Sequence, residues 1–222
     1  MGALHWAFDV YRNEFTRVVL PIVALETIVL FVTMVIPGVL GAILRLLLIA
    51  VPLHARTWIV DIMQYAVATA LGVCTIAYAA SSLYAYLLDL ARGAPVELAD
   101  AFRLEPSLPK TLILVAILGV ASSLGLSLCL VPGIVVLVFT SVALPTLVDR
   151  EVDPLTAIRE SVAHTQRHLA PMVSFGVLCI AMTLVGGALC VIGAVFLAIP
   201  LVMLMQVYVY LRLHGEVPEG EH

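Results

Sequence analysis

From Leu169 to Leu211 the chain runs 43 residues without one charged side chain. As a single helix this run measures ~65 Å, while the hydrocarbon core of a bilayer is about 30 Å thick. The run therefore predicts two membrane spans, joined by a turn near Ile192-Gly193. A second uncharged run, Thr111 to Val148, predicts another pair, with Val131-Pro132-Gly133 as the turn. Only 12% of the residues are charged and 63% are hydrophobic, where a soluble domain carries about 25% charged. The mean hydropathy is +1.13. Short alternating strands, the mark of a transmembrane barrel, are absent from these continuous runs. The expected class is all-α, a polytopic helical membrane protein, because in lipid a helix satisfies its own backbone.

The N-terminal half divides less cleanly. Val18–Ile36 reads as a span interrupted by Glu26 and ended by Pro37-Gly38. Ile62–Leu88 is uncharged and supplies a second, long span. Between them, Val39–Leu53 contains Arg45 and is short for a crossing. It reads as an interfacial or partly inserted helix on the far side, with a seventh span as the alternative. Six transmembrane helices are expected, over about 17–36, 57–90, 110–131, 133–148, 169–192 and 194–212. They form one domain, 1–214, followed by an acidic, disordered tail at 215–222.

Short polar segments precede the hairpins. In Leu4–Arg17 the residues Leu4, Phe8, Tyr11 and Phe15 share one helical face, opposite Asp9, Arg12 and Asn13. In Pro95–Leu104, Leu98, Ala101 and Phe102 do the same. In Pro154–His168 the face is Leu155, Ile158, Val162 and Leu169, with Asp153 as N-cap and Pro154 at the first helical position. All three read as amphipathic helices at the cytoplasmic interface, with Trp6, Phe8, Tyr11, Ile158 and Val162 as interfacial residues. "LHWAF", "LADAF" and "PLTAI" open three similar units, each followed by a span and then by "IPG", "VPG" or "IG". The pattern suggests a threefold internal hairpin repeat, the first unit carrying Val39–Arg56 as an insertion.

Nine Lys/Arg residues fall on the side of the N-terminus and two, Arg45 and Arg56, on the other. By the positive-inside rule both termini are expected in the cytoplasm of a bacterial inner membrane. The first span is followed by more apolar chain and does not read as a cleavable signal peptide. No basic run of the kind that binds nucleic acid occurs. Cys74, Cys129, Cys179 and Cys190 stand singly inside apolar runs, without metal or redox spacing.

The stretch "PGIVVLVFTSVALPTLVDREVDPLTAIRES" places Pro132, Gly133, Pro145, Asp149, Asp153, Pro154, Ala157 and Ser161 in a characteristic order. It resembles the YciC-like bacterial inner-membrane proteins and the membrane domain attached to some glycerophosphodiester phosphodiesterases. The N-terminal "ALHWAFDVYRNEFTRVVLP" resembles that group's opening helix. The resemblance implies a six-span fold. The matching positions are structural, so it transfers no catalytic residue.

Within the spans, Glu26 is the principal ionisable group, with Gln64, Gln206, Thr33 and Thr183 as candidate partners; Glu26, Gln64 and Gln206 form the candidate intramembrane polar site. Its structural reading is a hydrogen-bonded Glu that holds helices together. Glu160, His164 and His168 recur at i, i+4 and i+8, which spreads the outer two over ~12 Å of helix, too far for one metal ion. Gly119, Ser123 and Ser127, like Thr183 and Gly187, form small-residue stripes suited to helix packing. No catalytic set, metal cluster or cofactor motif emerges. The expected function is a non-catalytic inner-membrane scaffold or accessory subunit, in contact with the bilayer and with a membrane protein or a second copy of itself. The alternative is a small-solute or lipid transporter or channel that uses the Glu26 region.

Overall fold

The computed structural model describes residues 2–49, 52–188 and 193–218. A short helix α1 (Gly2–Asn13) leads into two long ones, α2 (Phe15–Leu47) and α3 (Leu53–Ala91). A 3-10 helix (Leu98–Phe102) precedes α4 (Leu108–Leu128), α5 (Leu130–Phe139) and α6 (Ala143–Arg150). Then come α7 (Pro154–Arg167), α8 (Leu169–Ala188), a π-helical turn (Ala194–Ala198) and α9 (Ile199–Leu213). No strand occurs among the described residues. Six segments are long and apolar enough to cross a membrane: α2, α3, α4, α5 with α6 as Val131–Arg150, α8, and Val195–Leu213. The chain is an all-α, multi-pass membrane protein. Six crossings bring both ends of the chain to one face, called here the terminal face.

The helices pair as three hairpins, α2–α3, α4–α5/α6 and α8–α9. Each is preceded by a short helix: α1, the 3-10 helix and α7 respectively. Ile22, Leu25, Leu83, Leu87, Leu114 and Leu147 are all fully buried. Each lies within about three turns of the terminal face, so the core is concentrated there. Farther out the first hairpin stands apart. Leu46, Leu47, Ile49, Leu53, Trp58, Ile62 and Tyr65 are all exposed.

Several expected boundaries move. Helix α2 does not stop at Pro37-Gly38, and among the described residues of 39–53 no separate interfacial helix forms; α2 runs on to Leu47. A proline costs a helix one backbone bond. Unwinding the chain in lipid would expose several polar groups. The second hairpin turns at Cys129, whose backbone is extended, and not at Val131-Pro132-Gly133. Pro132 sits in the first turn of α5, where its missing N–H costs no helical bond. Gly125 and Gly133 let that hairpin close: a Cβ on Gly125 would stand 2.9 Å from the Gly133 Cα. The fourth span is two helices broken at 140–142, because the ring of Pro145 excludes the carbonyl four residues before it. The amphipathic helix expected over Pro95–Leu104 contracts to the 3-10 helix Leu98–Phe102. The expected turn at Ile192-Gly193 lies partly outside the described residues, as does Cys190.

Three carbonyls released by prolines or helix breaks are recaptured by hydroxyls from distant helices. Pro21 cannot donate to the carbonyl of Arg17, and the Tyr86 hydroxyl donates there at 3.0 Å. Pro200 cannot donate to the carbonyl of Phe196, and the Tyr11 hydroxyl donates there at 2.9 Å. Before the α5–α6 break, the Ala143 amide bonds Thr140 and leaves Phe139; the Ser161 hydroxyl donates to Phe139 at 2.7 Å. Each contact joins α1, α3 or α7 to another helix at a place where that helix is short of a donor.

Candidate functional site

The intramembrane candidates are not brought together. Glu26 is half-buried on α2 and makes no hydrogen bond or ion pair among the described residues. Gln64 packs on α2 at Gly41, where a Cβ would meet its Oε1 at 2.3 Å. Gly41 is fifteen residues beyond Glu26, ~22 Å by helical rise. Gln206 belongs to another pair: its Oε1 accepts from the Tyr84 hydroxyl. Thr33 and Thr183 turn their hydroxyls back to the carbonyls of Val29 and Cys179 on their own helices. Gln64 and Gln206 thus serve two separate contacts, and Glu26 joins neither.

The interfacial residues take two roles. Trp6 is buried on α9, its ring 5.4 Å from that of Tyr208. Ala7 is fully buried beside it. Phe8 is half-exposed, and Tyr11 is tied to Phe196. Helix α1 therefore packs through Trp6 and Ala7 and leaves Phe8 outward, as Phe15 is at the start of α2. In α7 the buried face is Pro154, Ala157, Ser161 and Thr165. Ile158 and Val162 flank it half-buried, and Leu155 and Leu169 are exposed. Small residues allow α7 to lie close, and the larger apolar side chains are left at the margin.

The densest polar constellation sits at the terminal face, where the three hairpins end. Arg92 caps α3 and Asp149 lies in the last turn of α6. Their fork is bidentate, with Nη1 to Oδ1 at 2.5 Å and Nη2 to Oδ2 at 3.0 Å. The Arg92 Nε and Nη2 also reach Glu216, just past α9, at 2.8 and 3.1 Å. Tyr210 of α9 donates to Asp149 Oδ2 at 2.6 Å. The hydrogen bond to Asp149, then that to Glu216, holds the Arg92 guanidinium protonated well above its ordinary range. The Tyr210 ring stacks on His214 at 4.4 Å, and His214 faces His164 of α7 at 5.5 Å. Burial, then the nearby His214, pushes the His164 imidazole below its ordinary value. Glu160 is taken by Arg150 at 2.6 Å, so it does not act with His164 and His168 as a unit. The tail expected to be disordered is pinned here through Glu216, and Pro218 is buried; residues 219–222 lie outside the described set.

This constellation is a tie. Its guanidinium holds two carboxylates, and the Asp149 carboxylate accepts from both Arg92 and Tyr210. The sequence marks Asp149 only as one position of the family-like stretch and gives Arg92 and Tyr210 no partner. The available signal is positional: a charged residue marks the end of the second helix of each hairpin, Arg92 just past α3 and Asp149 and Arg212 in the last turns of α6 and α9. The small-residue stripe Gly119, Ser123 and Ser127 is exposed, and the close contact on α4 is made by Gly125.

Comparison with known proteins gives distant bacterial relatives. The chain is 30% identical over 132 residues to the protein named "Uncharacterized protein Rv2560" of Mycobacterium tuberculosis. It is equally similar to "Uncharacterized protein Mb2590" of Mycobacterium bovis. The match covers 58% of this chain and 39% of each relative. No protein-family model matches, and no solved structure matches.

Proposed function

We propose that the chain is a non-catalytic scaffold or accessory subunit of a bacterial inner membrane, with both termini cytoplasmic. Its work is to organise a membrane complex or its lipid surroundings. The observation that carries this reading is the exposed far half of the first hairpin, above all on α3. In the most apolar stretch of α3 only 6% is buried, against 56% in Val195–Leu213. A hairpin packed near the terminal face and exposed along its far half presents that half to the membrane and its contents. The nine-to-two bias of Lys and Arg supports the cytoplasmic placement of the terminal face. The separation of Glu26, Gln64 and Gln206 speaks against a polar path for a solute.

The test is site-specific photo-crosslinking in native membranes. A crosslinking residue at Phe31, Met34 or Ile62 is expected to capture a discrete second polypeptide chain, while one at Leu201, fully packed, captures none. Capture of lipid alone at all three outward positions would remove the protein-partner arm of the proposal. In proteoliposomes Glu26→Gln is expected to leave a folded protein without any change in solute flux. A cation-coupled flux in the parent that this substitution abolishes would replace the scaffold reading by the transport one.

A further inference from the structure

At the terminal face a cavity of about 580 Å3 lies between α1, the start of α2, the end of α3 and α9. Its rim is polar: Asp9, Asn13, Glu14 and Arg17. Its inner wall is apolar, with Trp6 and Leu204 among the lining side chains. Leu204 lies nine residues before the end of α9, ~14 Å along the helix, so the cavity runs from the water boundary toward acyl-chain depth. The loop after α3 closes one side, turning through Gly93 at φ 75°. Neither the terminal-face tie nor the scaffold reading uses this space.

The lining chemistry restricts the occupant. Asp9 and Glu14 bring two carboxylates, and Arg17 brings one guanidinium, 3.3 Å from Glu14. His5 approaches Asp9 from the exposed side at 2.9 Å. The rim therefore favours a ligand that offers a cation to the carboxylates and an anionic oxygen to Arg17. The inner wall asks for an apolar continuation. A primary ammonium supplies three N–H donors to Asp9, Glu14 and the Asn13 amide oxygen. A quaternary ammonium supplies none and relies on aromatic faces, and the Trp6 ring already packs against Tyr208. A headgroup bearing only negative charge meets two carboxylates.

We propose that this cavity binds the ammonium–phosphodiester group of an aminophospholipid headgroup, with Asp9 and Glu14 on the ammonium and Arg17 on the phosphate. The same chemistry occurs on a soluble glycerophosphoethanolamine, and the test separates the two sources. The site goes beyond the scaffold reading and stands whether or not a protein partner is found.

The protein carries two tryptophans; Trp58→Phe leaves Trp6, in the cavity wall, as the sole emitter. In phosphatidylcholine nanodiscs the Trp6 emission is recorded as phosphatidylethanolamine or phosphatidylglycerol is increased. Native mass spectrometry on the same samples reads retained lipid. A saturable response to phosphatidylethanolamine is expected, at least tenfold weaker in Asp9→Asn/Glu14→Gln, with a retained aminophospholipid adduct. Circular dichroism and gel filtration check that the variant is folded, and the parent titration decides the question without it. A response reproduced by millimolar glycerophosphoethanolamine in pure phosphatidylcholine identifies the soluble source. Its absence there, with the lipid response present, identifies the membrane source. No response to either source, or an equal response to phosphatidylglycerol, would overturn the proposal.

Discussion

Tyr11 donates its hydroxyl to the carbonyl of Phe196 at 2.9 Å, across 185 positions of chain, and that carbonyl is the one whose helical donor would have been Pro200. The relationship ties the N-terminal helix to the last span at a point where the span lacks a bond of its own. Tyr86 does the same for Arg17, the residue four before Pro21.

Tyr11→Phe and Tyr86→Phe each remove one hydroxyl from a carbonyl with no ordinary donor. A loss of about 1 kcal/mol is expected for each, or roughly 2–4 °C in melting temperature for a chain of this size. Thermal melts in mild detergent read this. Tyr65→Phe, at an exposed site with 76% of the residue accessible, serves as the unaffected control.

The Arg92–Asp149 fork is predicted to couple the first two hairpins. Arg92→Gln and Asp149→Asn each sever it, and the double substitution should cost less than the sum of the two. A coupling of about 2 kcal/mol is expected for a charged hydrogen bond shielded at one partner. A melt series of the four proteins at low and high salt measures it. Additive losses would show that the fork is incidental.

His164 gives the terminal face a pH dependence. Its imidazole is held below its ordinary value, by burial first and by His214 second, with Arg167 and His168 adding to the effect and Glu160 opposing it. The unfolded chain therefore binds the proton more readily than the folded one. Stability is full above the ordinary histidine value of about 6.5 and falls as pH drops through the lowered folded value. Melting temperatures between pH 8 and 5 should decline on the acid side. His164→Gln should flatten that limb.

Packing on α4, α5 and α8 depends on particular glycines. Gly176→Leu is expected to unseat α8 from α5, because even a Cβ at Gly176 would stand 2.4 Å from the Val138 Cγ2. Gly125→Val should open the α4–α5 turn against the Gly133 backbone. Gly119→Leu meets nothing within 4 Å and should leave yield and melting temperature unchanged. Folded yield after detergent extraction distinguishes the three.

The solvent of this chain was legible because bilayer thickness imposes a length on every apolar run. Leu169–Leu211 could only be a hairpin. The start of α7 at Pro154 was legible because an N-cap position followed by proline is a local signal. What escaped was non-local. Pro37-Gly38 carries the composition of a helix stop, yet the apolar chain after it has no better way to satisfy its backbone in lipid than to remain helical. Tyr11 and Tyr86 showed only that they were aromatic, since their acceptors are created by prolines elsewhere. Glu26, Gln64 and Gln206 drew attention as rare polar residues in the spans. Their spacing along the chain carried no information about which helices would adjoin.

The unequal lengths of the hairpins have a mechanical consequence. Helices α2 and α3 have 33 and 39 residues, where the other spans have 19 to 21, so they measure ~50 and ~58 Å against ~30 Å. To sink a 50 Å rod wholly into a 30 Å hydrocarbon slab would take a tilt of roughly 50°, beyond the 0–40° that membrane helices adopt. The flank bearing this hairpin therefore meets the bilayer with hydrophobic mismatch, and the opposite flank does not. Lipid beside Leu46, Trp58 and Tyr65 must stretch, or those side chains must stand clear of it. Around its own perimeter the molecule thereby changes either the thickness of the bilayer it meets or the height by which it stands out of it.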